Sequence, residues 1–324
     1  MSEFASAVMI RVLAQGMREL GLDPGPKAPT GADARVDLSL KRTLVASAVE
    51  QGGLACLPLL GRGVHRLAHE PTHDALASAN GALNLFERWQ RLERYIHSQH
   101  RCELLDSDDQ RARLRHVALA GAAPPLPAED LVVLGVLAAL LEAIGLQHVE
   151  VNLGRVPVYP EPDEKRLESA AKNADTAQWE FRWTTATRHA EVRRPEPPWP
   201  AELGADKDWP AVAREVYGRL MSGLTRPKSL LELAHGMQVP SRTLQRELGR
   251  SGLSYSQLLA EARCRAGAWR LLHTDGSVAE IGFLSGYADQ PHFTRELQRR
   301  VGMTPAVYRD AFAVAAEDPR RHAG

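Results

Sequence analysis

The sequence predicts two domains of different class, an α+β domain followed by an all-α domain. The chain has 324 residues, which is enough for two domains. Four prolines between Pro195 and Pro200 make a stiff connection that no helix crosses. The apolar pattern is mixed before this segment and helical after it. The predicted divisions are an α+β domain (1–194), a Pro-rich linker (195–208), an all-α domain with two helix-turn-helix units joined by a long helix (209–315), and a tail (316–324).

Apolar periodicity predicts the elements of the first domain. We expect helices near residues 3–20, 39–51, 79–98, 128–144 and 164–173, and strands near 101–105, 113–119, 149–153, 178–184 and 188–193. The first two strands flank a polar turn and are expected to form a hairpin. The helix at 128–144 is apolar nearly all round, which is typical of a core helix and leaves a dimer interface as the alternative.

Composition excludes several classes of protein. Cys56, Cys102 and Cys264 lie far apart, which argues against a disulfide framework or a zinc site and fits a reducing cytosol. The longest apolar run, Leu131 to Leu141, has 11 residues, whereas a membrane span needs roughly 20. The first twenty residues carry charges within an apolar period and predict a helix, not a signal peptide. We expect a soluble cytoplasmic protein.

An internal repeat is the most informative feature of the second domain. Ser229-Leu-Leu-Glu232 corresponds to Ser277-Val-Ala-Glu280, and Leu244-Gln-Arg-Glu-Leu248 corresponds to Phe293-Thr-Arg-Glu-Leu297. Each copy opens with S-x-x-E, the pattern of a capping box, in which serine and glutamate satisfy each other's backbone donors. A short helix, a turn and a second helix follow in each copy, as in helix-turn-helix units.

The second helix of each copy has the residue types that read DNA bases. If the apolar residues of the repeat face inward, Arg and Gln side chains remain outside, and these pair with guanine and adenine in the major groove. The predicted DNA-binding residues are Arg242, Thr243, Gln245, Arg246, Gln290, His292, Thr294 and Arg295. Arg246 and Arg295 could instead contact phosphate, and any of the Arg and Gln side chains could belong to an ordinary solvated helix surface.

The segment between the two copies predicts one long helix from Ser254 to about His273. Twenty residues span roughly 30 Å, close to the ~34 Å between successive major grooves on one face of DNA. Arg263, Arg265 and Arg270 on this helix are candidates for phosphate contacts or for ion pairs. Between Arg226 and Arg309 the net charge is +5, although the whole chain is neutral, which favours an anionic partner for this part.

These residues resemble the DNA-binding domain of AraC/XylS-type transcriptional regulators over roughly the last third of the chain. The resemblance is strongest in Val239-Pro-Ser-Arg-Thr-Leu-Gln-Arg246, Pro291-His-Phe-Thr-Arg295 and Gly302-Met-Thr-Pro-Ala-Val-Tyr-Arg309. Two departures are Pro240-Ser241, where the family often has Ser-Pro, and Gly282 in place of a usual alanine. Around Asp33–Asp37 and Leu92–Tyr95 the first domain resembles, more weakly, the α+β, "arabinose-binding-like" sensor of a subgroup.

The resemblance implies an effector-responsive activator that binds a promoter operator in double-stranded DNA and recruits RNA polymerase. It also implies a small-molecule effector, a homodimer through the first domain, a place in the nucleoid, and no enzymatic activity or cofactor. An architectural DNA binder without an effector is one alternative. A DNA-binding module fused to an enzymatic domain is the other.

Other candidate sites lie in the first domain. Trp179, Phe181 and Trp183 alternate along a predicted strand and face one side, either as sheet core or as the lining of an effector pocket. His65, His69 and His73 have the spacing of metal ligands on a helix, but Pro71 interrupts it, and we expect no metal. Cys56 lies among apolar residues, as an inert core thiol does.

Overall fold

The fold was obtained as a computed structural model, which describes residues 4–25, 35–66, 71–77, 79–96, 99–173, 176–185, 205–206 and 208–313. Most of the predicted linker, the strand expected at 188–193 and the tail lie outside these residues. In the described part, no single helix is long and apolar enough to cross a membrane.

The first domain combines helices with antiparallel strands, as predicted. Its helices are α1 (Ala7–Glu19), α2 (Leu38–Gly52), α3 (Cys56–Leu60), a 3₁₀ helix (Gly61–Arg66), α4 (Pro71–Ala77), α5 (Ala82–Ile96), α6 (Pro127–Ala143) and α7 (Glu164–Lys172). Its strands are β1 (Phe4–Ser6), β2 (Arg35–Asp37), β3 (His100–Ser107), β4 (Arg111–Ala118), β5 (Leu146–Leu153), β6 (Val156–Tyr159) and β7 (Gln178–Thr185). The strands β1, β2 and β6 and the helices α3 and α4 are too short for their periodicity to have predicted them.

The sheet of this domain has strand order β3-β4-β7-β5-β6, and each neighbouring pair is antiparallel. The predicted hairpin is confirmed, with Leu104 opposite Leu114. The strand β7 is central and is paired on both sides, with β4 and with β5. A separate ribbon pairs β1 with β2.

Helix α6 is the centre of the core. Every residue from Leu131 to Leu141 is buried, which confirms the core prediction. The alternative, that this helix forms a dimer interface, is wrong because these side chains are already covered within the chain. The segment from α3 into the 3₁₀ helix packs against α6 with main chain against main chain. A Cβ at Gly135 would overlap the main chain of Pro58, and one at Gly61 would overlap the main chain of Gly135.

The part of the chain after residue 208 is helical, as predicted. Its helices are α8 (Ala211–Met221), α9 (Leu230–Gly236), α10 (Ser241–Arg250), α11 (Tyr255–His273), α12 (Val278–Leu284), α13 (Gln290–Val301) and α14 (Pro305–Phe312). Helix α11 is shared by two apolar cores. Leu258, Ala262 and Trp269 pack with α8, α9 and α10, whereas Cys264, Ala268 and Leu271 belong to a core with α13 and α14 that continues into the first domain.

Candidate nucleic-acid interface

The first helix pair, α9 and α10, begins with the predicted capping box. The Ser229 hydroxyl accepts from the Glu232 backbone N–H at 3.3 Å, and the Glu232 carboxylate accepts from the Ser229 backbone N–H at 2.7 Å. The bonds that the Ser229 backbone N–H and hydroxyl donate to the Glu232 carboxylate hold the pKa of Glu232 below its usual value. Helix α10 then begins at Ser241, directly after Pro240, with no side-chain cap. The Pro-Ser order therefore places the helix start after the proline.

Helix α10 presents a polar surface, as the sequence predicts. Leu244 and Leu248 are 0% and 1% exposed and anchor the helix. Arg242, Gln245 and Arg246 are exposed, and Thr243 is half-buried. In the described part of the chain, the guanidinium groups of Arg242 and Arg246 have no hydrogen bond or ion pair. Both cations can therefore meet an external anion without breaking an internal contact.

The second helix pair, α12 and α13, is capped differently. The Ser277 hydroxyl accepts from the Glu280 backbone N–H at 3.2 Å, but the Glu280 side chain does not return a bond to Ser277, so only the serine half of the predicted capping box forms. Asp289 caps α13, because its carboxylate accepts from the His292 backbone N–H at 2.7 Å. The sequence-based predictions do not include this cap, although an Asp directly before the first residue of a helix is a recognisable N-cap signal.

Helix α13 is anchored by Phe293 and Leu297, both 0% exposed. Gln290 and Arg295 are exposed, whereas His292 and Thr294 are half-buried. The His292 ring lies edge-on to Tyr287, with 5.2 Å between ring centroids. The guanidinium of Arg295 has no internal partner among the described residues. Of the predicted DNA-binding residues, three are exposed on α10 and two on α13.

Close packing around Phe293 sets the position of α13. A Cβ at Gly282 would lie 3.2 Å from Phe293 Cβ, and one at Gly267 would lie 2.7 Å from Phe293 Cε2. Gly282, one of the two departures from the resembled family, thus lets α12 approach Phe293 more closely than alanine does. In the turn that follows α12, Gly286 has a φ of +84°, and a Cβ there would overlap the carbonyl oxygen of Leu224. This turn needs glycine.

The long helix α11 connects the two pairs and carries an ionic cluster. Arg265, 1% exposed, donates from Nε to Glu261 at 2.7 Å and from Nη2 to Asp206 at 3.2 Å. Arg300 of α13 donates to the other Glu261 oxygen at 2.9 Å. Burial alone would raise the pKa of Glu261, but the two guanidinium groups outweigh it and hold that pKa at about 2. Glu261 therefore ties α13 to α11 as a carboxylate.

Of the three arginines considered on α11, Arg265 is committed to ion pairs inside the fold. Arg270 is half-buried, and its Nη1 donates to the Ser285 hydroxyl at 3.1 Å. Burial lowers the pKa of Arg270 to about 10. Arg265 and Arg270 therefore bind partners within the fold. Their spacing in the sequence did not predict this, because a helix offers arginine both inward and outward positions.

Comparison with known proteins identifies this part of the chain. Residues 233–311 match the family model described as a helix-turn-helix domain. The HTH-type transcriptional regulator RipA of Corynebacterium glutamicum is 36% identical over 36% of this chain and 33% of its own. The C-terminal domain is an AraC-type helix-turn-helix domain.

Further relatives each match about a third of the chain. The HTH-type transcriptional activator RhaR of Salmonella schwarzengrund is 28% identical over 32% of this chain and 39% of its own. A solved AraC-type DNA-binding regulator from Chromobacterium violaceum has a TM-score of 0.31 and 24% identity, covering 32% of this chain and 95% of that one. The chain thus spans about a third of the length of the curated relatives it matches.

The aromatic stripe of the first domain lies in the sheet core. Trp179, Phe181 and Trp183 are 1%, 0% and 4% exposed and face one side of β7, as their alternation predicts. The Trp179 indole donates to the Thr176 carbonyl at 2.7 Å, and the Trp183 indole donates to the Asp109 carbonyl at 2.9 Å. Only Trp183 also borders an open groove. Their role in effector binding stays a prediction.

The histidines with metal-ligand spacing do not share a helix. His65 lies in the 3₁₀ helix and contacts Glu142 at 3.1 Å, His69 lies outside the described residues, and His73 belongs to α4. Within the ranges that the structure describes, no cluster of three metal-ligating side chains occurs. Cys56 is buried, and burial raises the pKa of its thiol to about 11.

The sequence did not reveal that the AraC-type domain contacts the first domain directly. Arg91 of α5 donates to the carbonyl of Ala311, near the end of α14, at 3.0 Å. Helices α4 and α11 also pack against each other, as do α5 and α14. No local pattern predicts such contacts, because they depend on how two separately patterned regions meet.

Proposed function

We propose that this protein is a sequence-specific, DNA-binding transcription regulator, acting as an effector-responsive activator. In this proposal α9–α10 and α12–α13 are two helix-turn-helix units that dock in adjacent major grooves. The AraC-type domain supports DNA binding, and the relative RhaR is named as a transcriptional activator. The single observation that carries the proposal is that the second helix of each pair exposes arginines, Arg242, Arg246 and Arg295, that have no partner among the residues the structure describes.

The assigned roles follow from side-chain chemistry. An exposed guanidinium can fork onto guanine O6 and N7, and an exposed carboxamide can pair with adenine N6 and N7. Arg242 and Gln245 lie in the first turns of α10, and Gln290 lies at the first position of α13, where base readers of such units are expected. The half-buried Thr243, His292 and Thr294 then flank the base readers, and Arg246 and Arg295 contact bases or adjacent phosphates.

The connection between the pairs has a suitable length. Helix α11 has 19 residues and therefore spans about 28 Å, close to the ~34 Å between successive major grooves on one face of DNA. A single chain would thus bring two units to one face of the duplex. The Glu261 cluster and the packing of Phe293 favour a fixed spacing, because both tie α13 to the connecting helix.

Three partners complete the proposal. An activator of this kind contacts RNA polymerase at the promoter, responds to a small-molecule effector in residues 1–194, and acts in the nucleoid. A homodimer through the first domain, using a surface other than α6, would double the number of reading units. The proposed functional divisions remain 1–194, 195–208 and 209–315.

The test is selection of genomic fragments by the purified chain near 0.15 M salt, since protein–DNA affinity depends steeply on salt. We expect a site with two blocks about one helical turn apart. Arg242→Ala should weaken the first block and Arg295→Ala the second, each by about 1–3 kcal/mol if the side chain reads a base. Arg214→Ala, which removes an exposed arginine of α8, is the matched control.

Equal binding by all three variants would refute the assigned reading surface. Enrichment of one block alone would refute the two-unit arrangement. Fragments bound without any shared motif would favour the architectural alternative, and turnover of a bound small molecule would favour the enzymatic one.

A further inference from the structure

A groove opens on the first domain where four segments meet. These are the start of α5, the turn between β3 and β4, the turn between α6 and β5, and the end of β7. The groove encloses about 400 Å³, within the range of small-molecule sites in proteins. Two of the four segments are turns, and a site built from turns on a rigid sheet is a common arrangement for ligand binding.

One wall of the groove is apolar and held in place. Leu83, which is 49% exposed, lies on one side, and Leu146 and Trp183 contribute further apolar surface. The Trp183 indole donates to the Asp109 carbonyl at 2.9 Å, and its backbone N–H donates to the Gln110 carbonyl at 3.0 Å. The β3–β4 turn is thereby fastened to β7. Because the indole donor is satisfied, the ring offers only its apolar surface to the groove.

The groove carries a single sign of charge. Glu87, Asp108 and Asp109 line it, and none of its lining residues is Lys, Arg or His. Arg111 lies 3.6 Å from Asp108 and 4.0 Å from Glu180, so this nearby cation is already shared between carboxylates. A cleft of one sign with apolar walls concentrates ligands of opposite charge.

The carboxylates of Glu87 and Asp109 remain available. Neither makes a hydrogen bond or ion pair with any residue in the described ranges. They also do not converge with a third ligand as a metal site requires, since the described residues contain no such group. Separated carboxylates beside an apolar wall suit an organic cation, whose charged group can pair with the carboxylates while its hydrocarbon part contacts the wall.

We propose that this groove binds an organic cation with a flat apolar body, of the arylalkylammonium class. Glu87 and Asp109 hold the positive group, and Leu83, Leu146 and Trp183 contact the apolar body. The inference deepens the proposed function, because such a cation would be the effector. It assigns the site to the groove edge of Trp183 and not to the buried Trp179 and Phe181.

Helix α5 joins this groove to the AraC-type domain. Glu87 lies one helical turn before Arg91, whose guanidinium donates to the Ala311 carbonyl of α14 at 3.0 Å. A cation held at Glu87 would reduce the negative field one turn from Arg91 and alter the contact with α14. The coupling to α14 has a role only if the chain binds DNA. Binding of the cation in the groove does not require DNA binding.

The test measures binding to the full chain, without DNA, by calorimetry and tryptophan fluorescence. The probes are phenethyltrimethylammonium, its neutral carbon isostere (3,3-dimethylbutyl)benzene, and the anion 3-phenylpropionate. We expect saturable binding of the cation, about tenfold tighter than that of the neutral isostere, because only the cation can pair with the two carboxylates. Glu87→Gln and Asp109→Asn should each weaken cation binding about two- to fivefold, as for exposed charge pairs.

Glu168→Gln, an exposed carboxylate of α7 outside the groove, is the matched control and should bind the cation normally. The proposal is overturned by cation binding that does not saturate below millimolar concentration, by equal affinity for the neutral isostere, or by unchanged affinity in a double variant that combines Glu87→Gln with Asp109→Asn. If the chain binds the cation but selects no DNA, the proposed groove site stands and the proposed role as a transcription regulator is refuted. Equal DNA affinity with and without bound cation would refute only the proposed coupling through α5.

Discussion

Replacing Gly286 by alanine tests how the turn between α12 and α13 is built. Gly286 has a φ of +84°, and the added Cβ would overlap the carbonyl oxygen of Leu224. The left-handed conformation costs an L-residue about 1–2 kcal/mol. Displacing a packed main-chain atom costs roughly 1–3 kcal/mol more. Because Leu224 follows α8 and Gly286 precedes α13, the strain falls on the contact that sets the second helix pair against the rest of the domain.

The full chain with Gly286→Ala should therefore lose about 2–5 kcal/mol of unfolding free energy, seen as a lower midpoint in urea denaturation. DNA footprinting on the selected site should lose the second block before the first. Gly218→Ala in α8 is the control, because its Cβ would meet nothing within 4 Å and alanine favours a helix by roughly 0.5–1 kcal/mol. An unchanged midpoint for Gly286→Ala would refute the reasoning, since both the strain and the overlap must then be absent.

Two further predictions concern stability. Gly135→Ala should destabilise the first domain by about 3 kcal/mol or more, because the Cβ would meet the main chain of Pro58 where two buried helices cross. Near-UV circular dichroism should show a loss of side-chain packing in this variant. The control Gly81→Ala, with open space at its Cβ, should keep the parent spectrum. Glu261 has a pKa lowered to about 2, so its stabilising contribution is fully present above its ordinary pKa and is lost as pH falls from about 4.5 toward 2. Urea denaturation of Glu261→Gln across this range should show a shallower loss of stability than the parent chain, and identical slopes would contradict the ion-pair assignment.

The sequence by itself determined the features that depend on local order. The capping serines Ser229 and Ser277, the pairs Leu244 with Leu248 and Phe293 with Leu297, and the repeat that relates them are all written within short segments. Burial of one stripe of a helix forces the opposite stripe outward, so the exposure of Arg242, Arg246 and Arg295 followed before any coordinates. The central helix α6 was predictable for the same reason, since only a buried helix is apolar all round.

Only the tertiary structure decided what depends on elements distant in the chain. Whether Arg265 faces DNA or an internal carboxylate was open until Asp206 and Glu261 were found beside it. The groove at Glu87 and Asp109 joins four segments, and the contact from Arg91 to Ala311 joins residues 220 positions apart. Apolar periodicity predicts which side of a helix or strand is buried, but it does not predict which other element packs against that side. Partner choice arises from the packing of the whole chain, and no local pattern encodes it.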